Sequence, residues 1–264
     1  MPIIKINGAE LFYKLIDSGK EETVVFSNSL GTRHSMWAGQ EEALRAHFNL
    51  LFYDARGHGQ SETTPGEYST ELLGADVLQL TAQLGITHFH FCGLSMGGLI
   101  GQWLALNGGS RIEKVILCNT SPKIGDKESW NDRIDLVRRE GLDPVAANTA
   151  GKWFTDDFIH NEIGKVEAVI RNFKQNSAAG YQSNCAMVRD ADFREKIQNI
   201  ENPVLLIAGS EDPVTTADDA REMQNQIKNA EMVNLKARHL SAYERPQEFN
   251  EAVLNFLLSA KTPQ

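Results

Sequence analysis

The chain is 264 residues long, a length that suits one α/β domain carrying an insertion better than two independent domains. With 41% hydrophobic and 23% charged residues, it has the composition of an ordinary globular protein. The net charge of −9 and the lack of a basic run argue against nucleic acid or an anionic membrane as a partner.

Residues 3–7 and 10–17 read as two strands around Asn7-Gly8, a hairpin signal. Residues 23–27 form a buried strand that ends in the polar loop Asn28-Ser29-Leu30-Gly31-Thr32. The spacing of Trp37, Leu44 and Phe48 predicts a helix over 36–48. A further strand, 49–53, runs into Asp54-Ala55-Arg56-Gly57-His58-Gly59-Gln60-Ser61. Ser69 can cap a helix over 69–84, whose apolar face is Leu72, Leu73, Val77, Leu80 and Leu84. A strand over 87–92, a helix over 99–106 and a strand over 115–118 follow. Strands that are apolar on both faces and alternate with helices predict a mainly parallel sheet covered on both sides.

The alternation stops at Ser121. As far as about Asp192 the pattern holds only amphipathic helical segments, over 129–139, 145–154, 157–176 and 178–187. A helical insertion above the C-terminal edge of such a sheet is where a lid sits. Strand 204–209, helix 216–227, strand 231–235 and helix 246–258 then resume the alternation, and Thr262-Pro263-Gln264 is expected to fray. The expected organisation is an α/β core, 1–120 and 193–264, with a helical lid over 121–192.

Cys92, Cys118 and Cys185 are too few for a disulfide framework, and no C-x-x-C is present. Cys92 and Cys118 end apolar runs and read as buried small hydrophobes. No apolar run approaches the roughly 20 residues of a membrane span. The N-terminal residues show no basic region followed by an apolar stretch. A cytoplasmic location is the expectation, and nothing in the pattern sets an oligomeric state.

The chemistry centres on Gly93-x-Ser95-x-Gly97, which follows the strand over 87–92 and precedes the helix over 99–106. Strand, G-x-S-x-G and helix together form the nucleophile elbow of α/β-hydrolases. A serine on so sharp a turn has no room for side chains two residues away, and Gly93 and Gly97 remove them. A serine hydroxyl also needs a base within hydrogen-bond reach and an acid to orient that base. In this fold class the order is Ser, then Asp or Glu, then His. Gly209-Ser210-Glu211-Asp212-Pro213-Val214 follows one late strand and Arg238-His239-Leu240 follows the last. Asp212 is assigned as the acid, in preference to Glu211, because Gly-x-x-Asp matches the register of that loop. His239 is assigned as the base. The oxyanion donors are expected to be the backbone N–H groups of Met96, directly after the nucleophile, and of Leu30.

The other six histidines carry weaker signals. His88 and His90 alternate on one strand face, as a metal pair would, but no third ligand lies at a useful spacing, and both read as structural. His58 lies in a turn typical of the fold and reads as architectural; His34, His47 and His160 carry no motif. No metal site is expected.

More specific segments are Ser27-Asn28-Ser29-Leu30-Gly31-Thr32, Met36-Trp37, Leu117-Cys118-Asn119-Thr120, Trp130-Asn131-Asp132-Arg133-Ile134, Trp153-Phe154-Thr155 and Val188-Arg189-Asp190. With the elbow, they make the chain similar to the 3-oxoadipate enol-lactonase family along nearly its whole length. Ala55 stands where Thr is common in the family. The resemblance implies hydrolysis of 3-oxoadipate enol-lactone to 3-oxoadipate, in protocatechuate and catechol breakdown, without metal or organic cofactor. A related carboxylesterase, C–C bond hydrolase or perhydrolase on the same scaffold is the alternative. A small lactone that carries a carboxylate calls for a cation in the pocket. Arg133 is the first candidate, since a guanidinium grips a carboxylate with two hydrogen bonds; Arg189 and Arg33 come next. Trp130 and Trp153 are candidate pocket walls.

Overall fold

A computed structural model describes residues 2–259. Strands β1 (Ile3–Ile6) and β2 (Ala9–Ile16) form the expected hairpin. Asn7 and Gly8 both hold positive φ, 44° and 76°, as a two-residue mirror-type turn requires. Then come β3 (Thr23–Ser27), α1 (Ala38–Arg45), β4 (Asn49–Tyr53), α2 (Thr70–Gln83), β5 (Phe89–Leu94), α3 (Met96–Asn107) and β6 (Ile112–Cys118). Ser69 caps α2 by accepting the Leu72 N–H at 3.2 Å.

Six helices follow β6: α4 (Lys127–Glu140), α5 (Asp143–Ala147), α6 (Ala150–Trp153), α7 (Asp156–Asn161), α8 (Ile163–Lys174) and α9 (Ala178–Asp190). Then β7 (Val204–Gly209), α10 (Ala217–Gln226), β8 (Ala230–Leu235), α11 (Ser241–Glu244) and α12 (Pro246–Leu258) complete the described chain. The sheet order is β1-β2-β4-β3-β5-β6-β7-β8, with β1 and β2 antiparallel to their neighbours and the rest parallel. Every residue of β3, β5 and β7 is buried, as a parallel sheet with both faces covered demands.

Three expected helices differ. The first turn of 36–48 winds as a 3₁₀ turn over His34–Trp37, and α1 starts only at Ala38. The helix expected over 145–154 is divided between α5 and α6. At the break, Asn148 donates to the Pro144 carbonyl and Thr149 Oγ1 to the Val145 carbonyl, side-chain bonds that compete with the helical ladder. The helix expected over 157–176 is divided at Glu162, whose φ of −129° is not helical. The expectation for Thr262, Pro263 and Gln264 lies outside the described residues.

In α4, Trp130, Ile134 and Val137 recur at helical spacing and turn one apolar stripe inward, against α9. Among the described residues, no helix is long and apolar enough to cross a membrane.

Candidate active site

β5 carries the chain up to Ser95, and α3 starts one residue later. Ser95 holds φ 57° and ψ −110°, a conformation that costs an L-residue energy and persists only where the surroundings impose it. A Cβ on Gly93 would lie 2.1 Å from the Gly97 carbonyl oxygen, and one on Gly97 would lie 2.3 Å from that of Ser27. Both glycines are therefore demanded by space. The end of β6 clamps the turn from the other side. Ser95 N–H donates to the Cys118 carbonyl at 2.9 Å, and Thr120 Oγ1 donates to the Ser95 carbonyl at 3.0 Å.

His239 Nε2 lies 2.9 Å from Ser95 Oγ, and His239 Nδ1 lies 2.8 Å from Asp212 Oδ2. An ionised carboxylate only accepts, so Nδ1 carries the proton and Nε2 is left to accept from the Ser95 hydroxyl. All three side chains are buried, yet Ser95 and His239 border a cavity. Asp212 also accepts the Val214 N–H at 2.8 Å, Thr215 N–H at 3.2 Å, Thr215 Oγ1 at 3.0 Å and Asn119 Nδ2 at 3.0 Å. Burial pushes its carboxyl pKa up. The charge of His239 and the hydrogen bonds from His239, Asn119 and Val214 outweigh burial, and hold it below the ordinary value. Glu211, one residue earlier, points to solvent.

Met96 is the first residue of α3, so its N–H has no intrahelical acceptor. The facing loop is braced from within. Asn28 Nδ2 donates to the Thr32 carbonyl at 2.7 Å, Thr32 N–H donates to the Ser29 carbonyl at 3.0 Å, and Gly31 N–H donates to His58 Nε2 at 2.8 Å. Among the described residues no protein acceptor takes the Leu30 N–H. His58 is thus more than part of a turn: its ring holds the loop that carries Leu30. Complete burial lowers its pKa to about 4, which keeps the acceptor nitrogen unprotonated.

The cavity in front of Ser95 measures about 470 Å³. Leu30, Trp130, Trp153, Arg133 and Lys152 line it. Trp130 is anchored by its Nε1–H to the Ile124 carbonyl at 2.7 Å. The Arg133 guanidinium lies over its ring at 4.7 Å, a cation–π contact. Among the described residues no carboxylate comes within 4.0 Å of Arg133 or Lys152; Asp135 pairs with Arg138 instead. Arg189 is occupied by Glu67 and Asp190, and Arg33 by Asn172, all away from this cavity.

Comparison with known proteins places the chain. A family model described as alpha/beta hydrolase fold matches residues 22–140, and one described as TAP-like protein matches residues 171–264. The 3-oxoadipate enol-lactonase 2 of Acinetobacter baylyi is 43% identical over 92% of this chain and 91% of its own length. The chain belongs to the 3-oxoadipate enol-lactonase family. A second enol-lactonase of the same organism, 3-oxoadipate enol-lactonase 1, is 37% identical over 97% of this chain and 92% of its own. The crystal structure of the enol-lactonase from Burkholderia xenovorans LB400 superposes with a TM-score of 0.95 at 41% identity, covering 97% of this chain and 99% of that one. For an enol-lactonase fold this complete, the helices between β6 and β7 are part of the likeness.

Three polar residues around the enol-lactonase pocket lie outside the sequence-based assignment: Lys152 on its wall, and Thr215 and Asn119 on Asp212. The structure also brings Glu22 and Glu113 to His90, at 3.7 and 3.9 Å from Nε2, so that His90 does have two possible co-ligands that spacing in the sequence hides. This group sits at the opposite end of β5 from Ser95. His90 Nδ1 accepts the Lys114 N–H at 3.3 Å, which puts the proton of the neutral ring on Nε2. A metal bound at Nε2 needs the other tautomer.

Proposed function

We propose that this chain opens 3-oxoadipate enol-lactone to 3-oxoadipate by serine catalysis, with Ser95, His239 and Asp212 as the triad. The observation that carries the reading is the unbroken Ser95–His239–Asp212 chain of hydrogen bonds, facing a cavity whose wall holds a guanidinium with no carboxylate on it among the described residues. The family's substrate is a five-membered enol lactone bearing a carboxymethyl group. Ser95 Oγ attacks the lactone carbonyl as His239 Nε2 takes the hydroxyl proton, and Asp212 stabilises the imidazolium. The carbonyl oxygen becomes an oxyanion, for which the Leu30 and Met96 N–H groups are the proposed donors. Loss of one such donor raises the barrier by about 3 kcal/mol. Collapse of the tetrahedral intermediate breaks the ring C–O bond, and His239 returns the proton to the leaving enol oxygen. The enol stays tethered to the acyl chain; its conversion to the ketone removes the internal nucleophile and discourages re-closure. Water, activated by His239, then releases the diacid. Side chains, backbone donors and water suffice for each step.

Arg133 is proposed to hold the substrate carboxylate, with Trp130 and Trp153 as walls. Segment 121–192 is proposed as a lid over a core of 1–120 and 193–264. A cytoplasmic location is supported by the three cysteines, all free and buried.

The test is kcat/KM on freshly generated 3-oxoadipate enol-lactone beside p-nitrophenyl acetate, for the native chain and for Ser95→Ala. The expected result is a large preference for the lactone, and loss of turnover by roughly 10⁴-fold or more in a variant that still folds. Turnover that survives in Ser95→Ala would sink the nucleophile. A reversed substrate preference would point instead to a carboxylesterase or C–C hydrolase on this scaffold.

A further inference from the structure

Asn119 is the first residue after β6 and holds φ 43°, in the left-handed region. Glycine takes that conformation without strain, and asparagine does so at some cost. A non-glycine residue kept there signals use of its side chain. That side chain is buried and engaged at both ends. Its Nδ2 donates to Asp212 Oδ2 at 3.0 Å and to the Arg238 carbonyl at 3.3 Å. Its Oδ1 accepts the Ser241 hydroxyl at 2.5 Å.

The pattern of donors around Asp212 gives this contact its weight. Val214 N–H, Thr215 N–H and Thr215 Oγ1 all belong to the loop that bears Asp212. They move with it. His239 is the group to be oriented. Among the described residues, Asn119 is the remaining side chain that donates to the carboxylate from elsewhere in the chain. Through Arg238 and Ser241 the same amide holds the segment on both sides of His239. Asn119 N–H is itself tied to β7, donating to the Ile207 carbonyl at 2.8 Å. Thr120, its neighbour, holds the Ser95 carbonyl. Two consecutive residues thus brace all three members of the triad from the rigid end of β6.

We propose that Asn119 is a positioning residue for the acid–base pair, one that sets the Asp212 loop and the His239 loop relative to one another. This inference rests on the Ser95–His239–Asp212 reading given above. The two loops are also joined by the Glu211 N–H, which donates to the Ala237 carbonyl at 3.1 Å. What Asn119 adds is a side chain that grips the carboxylate itself and the chain on both sides of His239, and a misplacement of about 1 Å there costs on the order of 100-fold in rate.

The experiment compares Asn119→Gly and Asn119→Ala in the full chain, each assayed well below its own melting transition on the enol-lactone and on p-nitrophenyl acetate. Glycine removes the amide and relieves the backbone; alanine removes the amide and keeps the backbone strained. A positioning role predicts that both lose kcat by roughly 10- to 100-fold on both substrates, with KM within about threefold. The downfield proton resonance of His239 Nδ1–H is expected to broaden or vanish in both. Wild-type kcat in Asn119→Gly would overturn the proposal, because the backbone alone would then account for the residue. A parallel rise in KM with an intact Nδ1–H resonance would overturn it too, as the mark of general structural damage. Asp212→Asn, run alongside, separates this inference from the one beneath it. If Asp212→Asn turns over normally, the triad reading fails. If it collapses while Asn119→Gly does not, only the role of Asn119 falls.

Discussion

Arg133 is the side chain proposed to hold the substrate carboxylate. Its guanidinium lies 4.7 Å over the Trp130 ring and borders the cavity together with Tyr181, where a substrate carboxylate is proposed to meet it. A charge-assisted contact of this kind contributes about 1.5–3 kcal/mol. Arg133→Ala is therefore expected to lower kcat/KM for the enol-lactone by roughly 10- to 150-fold, and for neutral p-nitrophenyl acetate by only a few-fold. Equal losses on the two substrates would remove Arg133 from the carboxylate role. That Asp212 and not Glu211 meets His239 was legible in the sequence, because register along one short loop decides it: Glu211 points outward and Asp212 inward. Arg133 is ranked ahead of Arg189 on the sequence, but nothing along the chain excludes Arg189. Arg189 also sits on an amphipathic helix, and what removes it from contention is an ion pair with Glu67, 122 residues away.

At the scale of elements, the nucleophile turn is governed by space. Gly93→Ala would drive a methyl group to 2.1 Å from the Gly97 carbonyl, a backbone atom that cannot swing aside. The expected cost exceeds about 3 kcal/mol, the upper end for an overpacked core, and a fall in the urea midpoint is the readout. A midpoint within error of the native one would show that strand and helix can separate there. The strands were readable because burial on both faces leaves unbroken apolar runs, and the hairpin because Asn7-Gly8 is a local signal. The breaks at Asn148 and Glu162 were not readable. Apolar spacing continues through them, and the interruption comes from side-chain hydrogen bonds and from a backbone angle that periodicity does not record.

For the whole molecule, pH couples the loop that carries Leu30 to stability through His58. Its pKa is about 4 in the folded chain against 6.5 when unperturbed. The unfolded state therefore takes up a proton first as pH falls, and stability is lost through the window from about 6.5 down to about 4, by about 3 kcal/mol in full. Urea midpoints at pH 7 and pH 5 should differ less in His58→Gln, which keeps an acceptor for the Gly31 N–H without the ionisation. An undiminished difference would assign the pH dependence to other groups, with buried His90 the first to consider. By itself, the sequence determined the fold class and the sharp turn at Ser95, and it singled out Ser95, Asp212 and His239, which lie within hydrogen-bond reach of one another. Those depend on local sterics and on burial periodicity, which are written along the chain. Only the tertiary structure decided which arginine faces the cavity, that His58 holds the loop of Leu30, that Glu22 and Glu113 reach His90, and that Asn119 donates to both Asp212 and the Arg238 carbonyl. Each depends on contacts between segments far apart in the chain, set by how strands and helices pack, and no spacing in the sequence encodes it.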